Sequence, residues 1–344
     1  MTQYIIRRLL QAIPLLFIIS LVLFILMDNV GDPLATMGGR RLTRKEDRER
    51  LTRQLGLDQP ILTQYLYWLI GNDWAKIDLD GDGVAETPGT RRGVLRGDFG
   101  TSLRTKGKPA LEAISERIPN TLILMLAAEG LIVAGALVVG IYSALHQYSW
   151  LDHAITAISF VFYSMPIFFI ALVAIYLFAV NFKTWGLPSL PANGMFDPQV
   201  GKTPGQVVLH MILPVFSISM ISFAAYSRYI RSTMLEVMNQ DYIRTARSKG
   251  LARRYILLVH ALKNASLPIV TVVGLDLPLL LGGALVTERI FAWPGMGMLF
   301  LESLKDVDTP VVMGILMLIS VAVVVFQIIT DVVYAWLDPR IRYH

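Results

Sequence analysis

Residues 231–263 read RSTMLEVMNQDYIRTARSKGLARRYILLVHALK, a basic stretch set between two apolar runs. Eight Lys and Arg residues in it or just before it (Arg228, Arg231, Arg244, Arg247, Lys249, Arg253, Arg254 and Lys263) stand against two acids, Glu236 and Asp241. A basic loop between membrane spans is retained on the cytoplasmic side. Its inner pattern predicts two short helices meeting at a turn. Asp241 caps the first, Ile243, Ala246 and Gly250 fall on one face, and Gly250 breaks the chain. A helix presenting small residues suits a groove on another protein. The plain alternative is a solvated loop that only fixes topology.

The flanks set the class. Of the 344 residues 54% are hydrophobic, against about 45–50% in ordinary soluble domains. Runs long enough to cross about 30 Å of hydrocarbon occur at Leu9–Met27, Thr121–Leu145, Ile155–Val180, Leu209–Tyr226, Leu267–Val286 and Val311–Leu337. The expected fold is therefore all-α: a polytopic integral membrane protein with six transmembrane helices. The first run follows Arg7 and Arg8 and lacks a small-x-small cleavage site, so it reads as a retained anchor. With those arginines inside, six crossings leave both termini and residues 231–263 in the cytoplasm, in keeping with Arg340 and Arg342 at the end. The division is then 1–28 (N-terminus and first span), 29–119 (a structured external insert) and 120–344 (spans two to six, with the cytoplasmic loop 231–264).

A net charge of +5 does not indicate nucleic acid, because the basic residues border spans, where anionic headgroups and protein partners account for them. Cysteine is absent, which excludes disulfides, a thiol nucleophile and thiolate metal sites. Gly201-Lys202-Thr203 imitates the tail of a phosphate-binding loop, but the glycine required five positions earlier is Phe196, so the chain should not hydrolyse ATP unaided and energy has to come from a partner or an ion gradient. The histidines (146, 153, 210, 260, 344) have no paired metal spacing and read as interfacial or capping residues. No G-x-S-x-G elbow occurs, which argues against a membrane hydrolase.

The insert carries fifteen Lys and Arg, and it is too long for the charge rule to oppose an external location. Lys45–Leu55 reads as a helix, Gln64–Ile70 as a short aromatic-rich amphipathic piece, and Lys108–Ile118 as an amphipathic helix leading into the second span. Residues 77–94, IDLDGDGVAETPGTRRGV, place Asp78, Asp80 and Asp82 at calcium-loop positions one, three and five, Gly83 at six and Glu86 at nine. Position twelve is Gly89 rather than a bidentate Glu, so a Ca²⁺ site and a polar surface turn both fit. Within the spans, Glu129, Asp276 and Asp331 are costly ionisable groups that face a protein interior or water. Asp276, in a helix with Gly274, Pro278, Gly282 and Gly283, suits a pathway or a helix contact, and Glu129 suits a pair with Arg228 or with a second subunit. Pro166, Pro214 and Pro278 favour kinks. The rings of Phe291 and Trp293, in the turn TERIFAWPGMG, favour the membrane interface.

DYIRTARSKGL followed by HALKNASLPIV resembles the EAA loop of ABC importer permeases, in the form typical of B-type subunits of the dipeptide/oligopeptide family. Arg244-Thr245-Ala246 stands at the Glu-Ala-Ala positions, with Gly250 in place. Further stretches resemble the same family nearly end to end: GDPLATMGG (31–39), LGLDQPILTQYLYWL (55–69), GDFGTSL (97–103), YSMPIFF (163–169), LVTERIFAWPGMG (285–297) and DPRIR (338–342).

The resemblance implies a permease subunit of an ATP-driven peptide importer in a bacterial or archaeal plasma membrane. Its implied partners are a second homologous permease chain, two cytoplasmic ATP-binding subunits and an external solute-binding protein docking over the insert. Tyr242, Arg244, Thr245, Ala246, Arg247, Gly250 and Leu251 are the implied ATPase contact, with Glu129, Asp276 and Pro166 as pathway candidates and 285–297 as an outer-gate region. A rival reading, an ion-coupled transporter using Glu129, Asp276 and Asp331, lacks an evident inverted repeat. A membrane scaffold is a third.

Overall fold

A computed structural model of the chain describes residues 2–30, 45–78, 84–105 and 107–337. The fold is all-α and polytopic, with one two-residue antiparallel pairing, β1 (Lys76–Ile77) with β2 (Thr87–Pro88). The helices are α1 (Thr2–Asp28), α2 (Lys45–Leu55), α3 (Ile61–Ile70), α4 (Ala110–Ser115), α5 (Ile118–Leu145), α6 (Trp150–Ser164) and α7 (Ile167–Thr184). They continue with α8 (Pro204–Met238), α9 (Asp241–Ser248), α10 (Arg253–Ala265), α11 (Leu267–Gly283), α12 (Leu285–Ile290), α13 (Met296–Lys305) and α14 (Thr309–Leu337).

Five helical stretches are long and apolar enough to cross a bilayer: Ile6–Asp28, Ala110–Leu145, Ile167–Thr184, Pro204–Met238 and Thr309–Val333. The bent pair Arg253–Ala265 and Ile269–Pro278, at 49° to one another, makes a sixth if counted as one span. Two expectations need correcting. The run 155–180 is not one span, because Met165 is extended (φ −90°, ψ 137°) and Pro166 caps a new helix. Proline disfavours helical geometry in the residue before it and cannot donate to the preceding turn. The fifth run, 267–286, is one helix only over Leu267–Gly283, and it is preceded across a bend by the apolar helix Arg253–Ala265. Pro214, by contrast, sits inside an unbroken α8.

The chain forms two compact units. The first comprises Met1–Ile6, Asn120–Gly297 and Val323–His344. Its spine is α8, which starts at the cap Thr203, whose hydroxyl accepts from Gln206 N, followed by Pro204 in the first turn; the apparent phosphate-loop tail is thus a helix start. Helices approach closely at small residues, as expected within membranes. A Cβ on Gly140 of α5 would lie 2.8 Å from Ile230 of α8, and one on Gly274 of α11 would collide with Thr330 of α14.

The second unit comprises Arg7–Pro119 and Met298–Ala322. Tyr65 and Trp68 of α3 bury against Met27 of α1 and Val312 and Met313 of α14. Ser20 shares a 2.7 Å hydrogen bond with the Tyr65 hydroxyl. The buried Asp308 accepts from Ser102 Oγ (2.5 Å), Leu103 N (3.0 Å) and Arg104 N (3.2 Å), fastening the GDFGTSL turn to the start of α14.

At one end of α8, Arg231 forks onto Asp152 of α6 (Nε to Oδ1 2.9 Å, Nη2 to Oδ2 2.8 Å), with Ser143 Oγ and Tyr148 N also donating to that carboxylate. Arg231 foremost, then those other donors, hold the Asp152 pKa down at about 2 against the opposing effect of burial. A carboxyl depressed in the folded state stabilises fully above its ordinary value near 3.8 and loses that contribution as pH falls through about 2. Asp152→Ala is expected to cost about 3 kcal/mol, because Arg231 stays partly buried without its partner. Thermal unfolding in detergent should show the variant's deficit at pH 7 shrinking as pH falls below about 4; a deficit that does not change with pH would contradict the ion-pair account.

Candidate functional site

The basic stretch becomes α9 and the start of α10. Gln240, not Asp241, is the N-cap of α9, and its side chain makes no cap bond; Asp241 is the first helical residue and lies 3.6 Å from Arg244. The helix ends in a Schellman arrangement in which Leu251 N donates to Ala246 O (3.4 Å) and Gly250 N to Arg247 O (3.0 Å). Gly250 takes the left-handed φ of 74° that this ending requires. Ile243 and Ala246 face inward, packed with Ile230 and Met234 of α8 and Ile256 and Ala261 of α10.

Tyr242, Arg244, Thr245, Arg247, Gly250 and Leu251 are all exposed. Six of the seven expected contact residues therefore share open surface. Ala246, 7% exposed, is the exception, as its methyl fills the chain's own core. Gly250 does not share the face of Ile243 and Ala246, and a Cβ there would meet nothing within 4 Å. Asn264 of α10 donates to the Tyr242 hydroxyl (3.1 Å), tying α9 to the end of α10 beside the bend.

About three turns back along α8, the Tyr226 hydroxyl donates to Asp276 Oδ2 of α11 (2.8 Å) and lies 3.3 Å from Glu129 Oε1 of α5. Two of the intramembrane carboxyls thus meet on one phenol that the sequence reading passed over. Glu129 Oε2 is buried with no partner among the described residues. Arg228 is not its mate, because that guanidinium lies over the rings of Phe160 (4.7 Å) and Tyr163 (4.9 Å). Glu129 sits in helix packing at 5% exposure, with Asp276 half-buried beside it. Asp331 is half-buried on the last turns of α14. Pro166 lies on the surface at the break between α6 and α7.

The TERIFAWPGMG turn is a buried clasp. Phe291 and Trp293, expected at the membrane interface, are 1% and 0% exposed. Burial is tolerable because the Trp293 indole N–H donates to Asn120 O (2.9 Å) while Asn120 Nδ2 donates to Pro294 O (2.8 Å). Thr121 Oγ1 donates to the fully buried Glu288 (2.8 Å) and accepts from Met296 N (2.7 Å). A Cβ on Gly295 would collide with the Glu288 carboxylate. The sequence reading also missed Glu288, Thr121 and Asn120; the available signal was an acid five residues before Trp293 in an otherwise apolar turn.

Of the candidate calcium ligands, Asp80 and Asp82 lie outside the described residues, as do 31–39 and 338–342. Asp78 follows β1, and Glu86 is exposed beside β2.

Residues 136–343 match the family described as binding-protein-dependent transport system inner membrane component. The chain belongs to this family of transport permeases. Residues 1–125 match the corresponding N-terminal family. The oligopeptide transport system permease protein AppB of Bacillus subtilis (strain 168) is 39% identical over 348 residues, covering 100% of both chains. The dipeptide transport system permease protein DppB of Escherichia coli (strain K12) is 35% identical over 363 residues, covering 100% of this chain and 99% of that one. The inward-facing MetNI methionine ABC transporter structure matches 66% of this chain and 97% of its own, at 15% identity and a TM-score of 0.50, a likeness of fold alone.

In this permease the phenol is the one donor between the Glu129 and Asp276 oxygens among the described residues. Tyr226→Phe should therefore destabilise the protein by roughly 1–3 kcal/mol, the cost of orphaning buried acceptors. Glu129→Gln in the same background should recover part of the loss, since its amide can donate toward Asp276. Melting of the purified variants in detergent tests both; no recovery in the double variant would refute the donor argument.

Proposed function

We propose that this permease forms half of the translocation pathway of an ATP-driven peptide importer and takes its power stroke through α9. The carrying observation is the exposed α9 face, Tyr242, Arg244, Thr245 and Arg247, seated on a rigid apolar footing by Ile243 and Ala246 and stopped at Gly250. The peptide substrate rests on the relatives named for oligopeptide and dipeptide transport. The partners are a second, similar permease chain, two cytoplasmic ATP-binding subunits and an external solute-binding protein, with both termini cytoplasmic in a prokaryotic plasma membrane.

The mechanism is differential binding. ATP favours one arrangement of the ATPase pair, and α9, held in a groove of one of them, transmits that preference. Because α9 is packed on Ile230 and Met234, its displacement is passed to α8 rather than absorbed in a loop. The helix carries it to Tyr226, where α5 and α11 meet, and Asp276 is placed to feel a change of pathway shape.

Thr245→Trp puts a large side chain on the exposed face without backbone strain, whereas Gly250→Trp adds the cost of a left-handed φ. Thr245→Trp is expected to leave insertion and melting of the chain nearly unchanged, whereas Gly250→Trp should insert but melt somewhat lower. Both should lower peptide uptake and co-purified ATPase stimulation by about tenfold or more, the loss of roughly 1.4 kcal/mol of contact energy. Undiminished uptake by Thr245→Trp would sink the α9 assignment, and uptake persisting without any ATPase partner would sink ATP coupling.

A further inference from the structure

Beside the exposed face of α9 lies a recess of about 410 Å³. Its apolar lining is Met238 at the end of α8, Leu251 just past the Gly250 turn, and Ile256 and Leu257 of α10. Its polar lining is Arg247 of α9 and Arg253 of α10, and no acid lines it. The left-handed turn at Gly250 separates the two arginines in sequence and brings them to one recess.

These arginines differ from their neighbours. Arg231 forks onto Asp152, and Arg244 lies 3.6 Å from Asp241. The guanidinium groups of Arg247 and Arg253 have neither a hydrogen bond nor an ion pair among the described residues. From Arg244 to Arg254 the sequence has five cations and no acid. Both Arg247 and Arg253 are exposed, so water satisfies them in the chain alone.

Covering them changes the balance. Arg247 belongs both to the exposed face of α9 and to the recess, so a subunit seated on that face takes it out of water. A cation desolvated at an interface without a counter-charge is costly, and a like charge opposite it costs more. The covering surface therefore has to bring an acid, and the planar fork of arginine favours a carboxylate that accepts two N–H bonds. The apolar lining sets a second requirement. Met238, Leu251 and Leu257 need an apolar side chain next to that acid, because a wholly polar surface would leave them without contact.

We propose that this recess receives an acidic side chain of the ATP-binding subunit, its carboxylate between Arg247 and Arg253 and an adjacent apolar side chain against Met238, Leu251 and Leu257. The proposal rests on the reading that α9 meets that subunit, and it adds the chemistry by which the subunit is recognised. A carboxylate held by both arginines grips α10 as well as α9, so movement of the subunit reaches α10 directly and α8 through the footing of α9.

The test uses the full-length chain with its co-purifying subunits in mild detergent. Arg247→Lys and Arg253→Lys, made singly, keep the charge and put a primary amine in the recess. A water-soluble carbodiimide joins such an amine, as an amide, to a carboxylate in direct contact. Peptide mass spectrometry is expected to find residue 247 or 253 linked to an Asp or Glu of the subunit that carries the G-x-x-x-x-G-K-[ST] loop. Arg247→Glu combined with Arg253→Glu should retain that subunit about tenfold less than wild type at physiological ionic strength, a larger loss than with glutamine at both positions. The chain has no cysteine, so Ser248→Cys, exposed and outside the expected contact residues, can carry a benzophenone that links to whatever covers α9, irrespective of charge. Benzophenone links to the ATP-binding subunit, with carbodiimide links absent or confined to this chain or to lipid, would overturn the inference and leave the α9 reading standing. Absence of both kinds of link would overturn both.

Discussion

Everything in the first unit depends on the continuity of α8. A helix of 35 residues is about 52 Å long at 1.5 Å per residue, well beyond the roughly 30 Å of hydrocarbon. One rod can therefore cross the membrane and still project far enough to carry α9. Its contacts are ordered along its length. The Asp276 and Glu129 carboxyls meet it at Tyr226, Gly140 lets α5 close onto Ile230, Asp152 grips Arg231, and Ile243 and Ala246 rest on Ile230 and Met234. A break anywhere between Tyr226 and Met234 would separate α9 from the helices that meet at Tyr226. Pro214 lies before this segment, so whatever it costs the helix falls outside the stretch that links α9 to Tyr226.

Among the described residues, buried carboxylates accept from backbone and hydroxyl donors more often than from cations. Glu288 takes Thr121, Asp308 takes a serine hydroxyl and two peptide N–H groups, and the Asp276–Glu129 pair shares one phenol. Neutral donors suit a low-dielectric interior, because a buried ion pair bears the desolvation of two charges rather than one. Where a cation is used, at Asp152, it comes from an arginine whose own side chain is still 27% exposed, so that only one of the two charges is fully removed from solvent.

What was legible in the sequence is the part governed by runs and punctuation. Length and hydropathy placed the spans, and the glycine at 250 gave the stop of α9, because a left-handed C′ residue is nearly a glycine prerogative. Pairing was not legible. Periodicity says that Glu129 and Asp276 lie in apolar helices, but nothing in either run names Tyr226, fifty positions from Asp276 and ninety-seven from Glu129. Interface preference misled at Trp293, since an indole goes to the interface to satisfy its N–H, and here the Asn120 carbonyl does that inside. The third span departs from its apolar run for a local reason: the sequence reads Pro166 as a kink, whereas the extended Met165 before it ends one helix and Pro166 caps the next.

Ala246 shows how a motif position and a contact position can differ. The position recurs in the loop pattern as a small residue, which invites the reading that a partner presses against it. Its methyl instead lies in the same cluster as Met234 and Ala261, where a larger side chain would force α9 away from α8. Smallness there serves the footing of the helix. The residues beside it, Arg244, Thr245 and Arg247, are exposed and free of that packing constraint. On a two-turn helix such as α9 the inward face leaves room for little beyond Ile243 and Ala246, so any contact made outside the chain falls to the outward one.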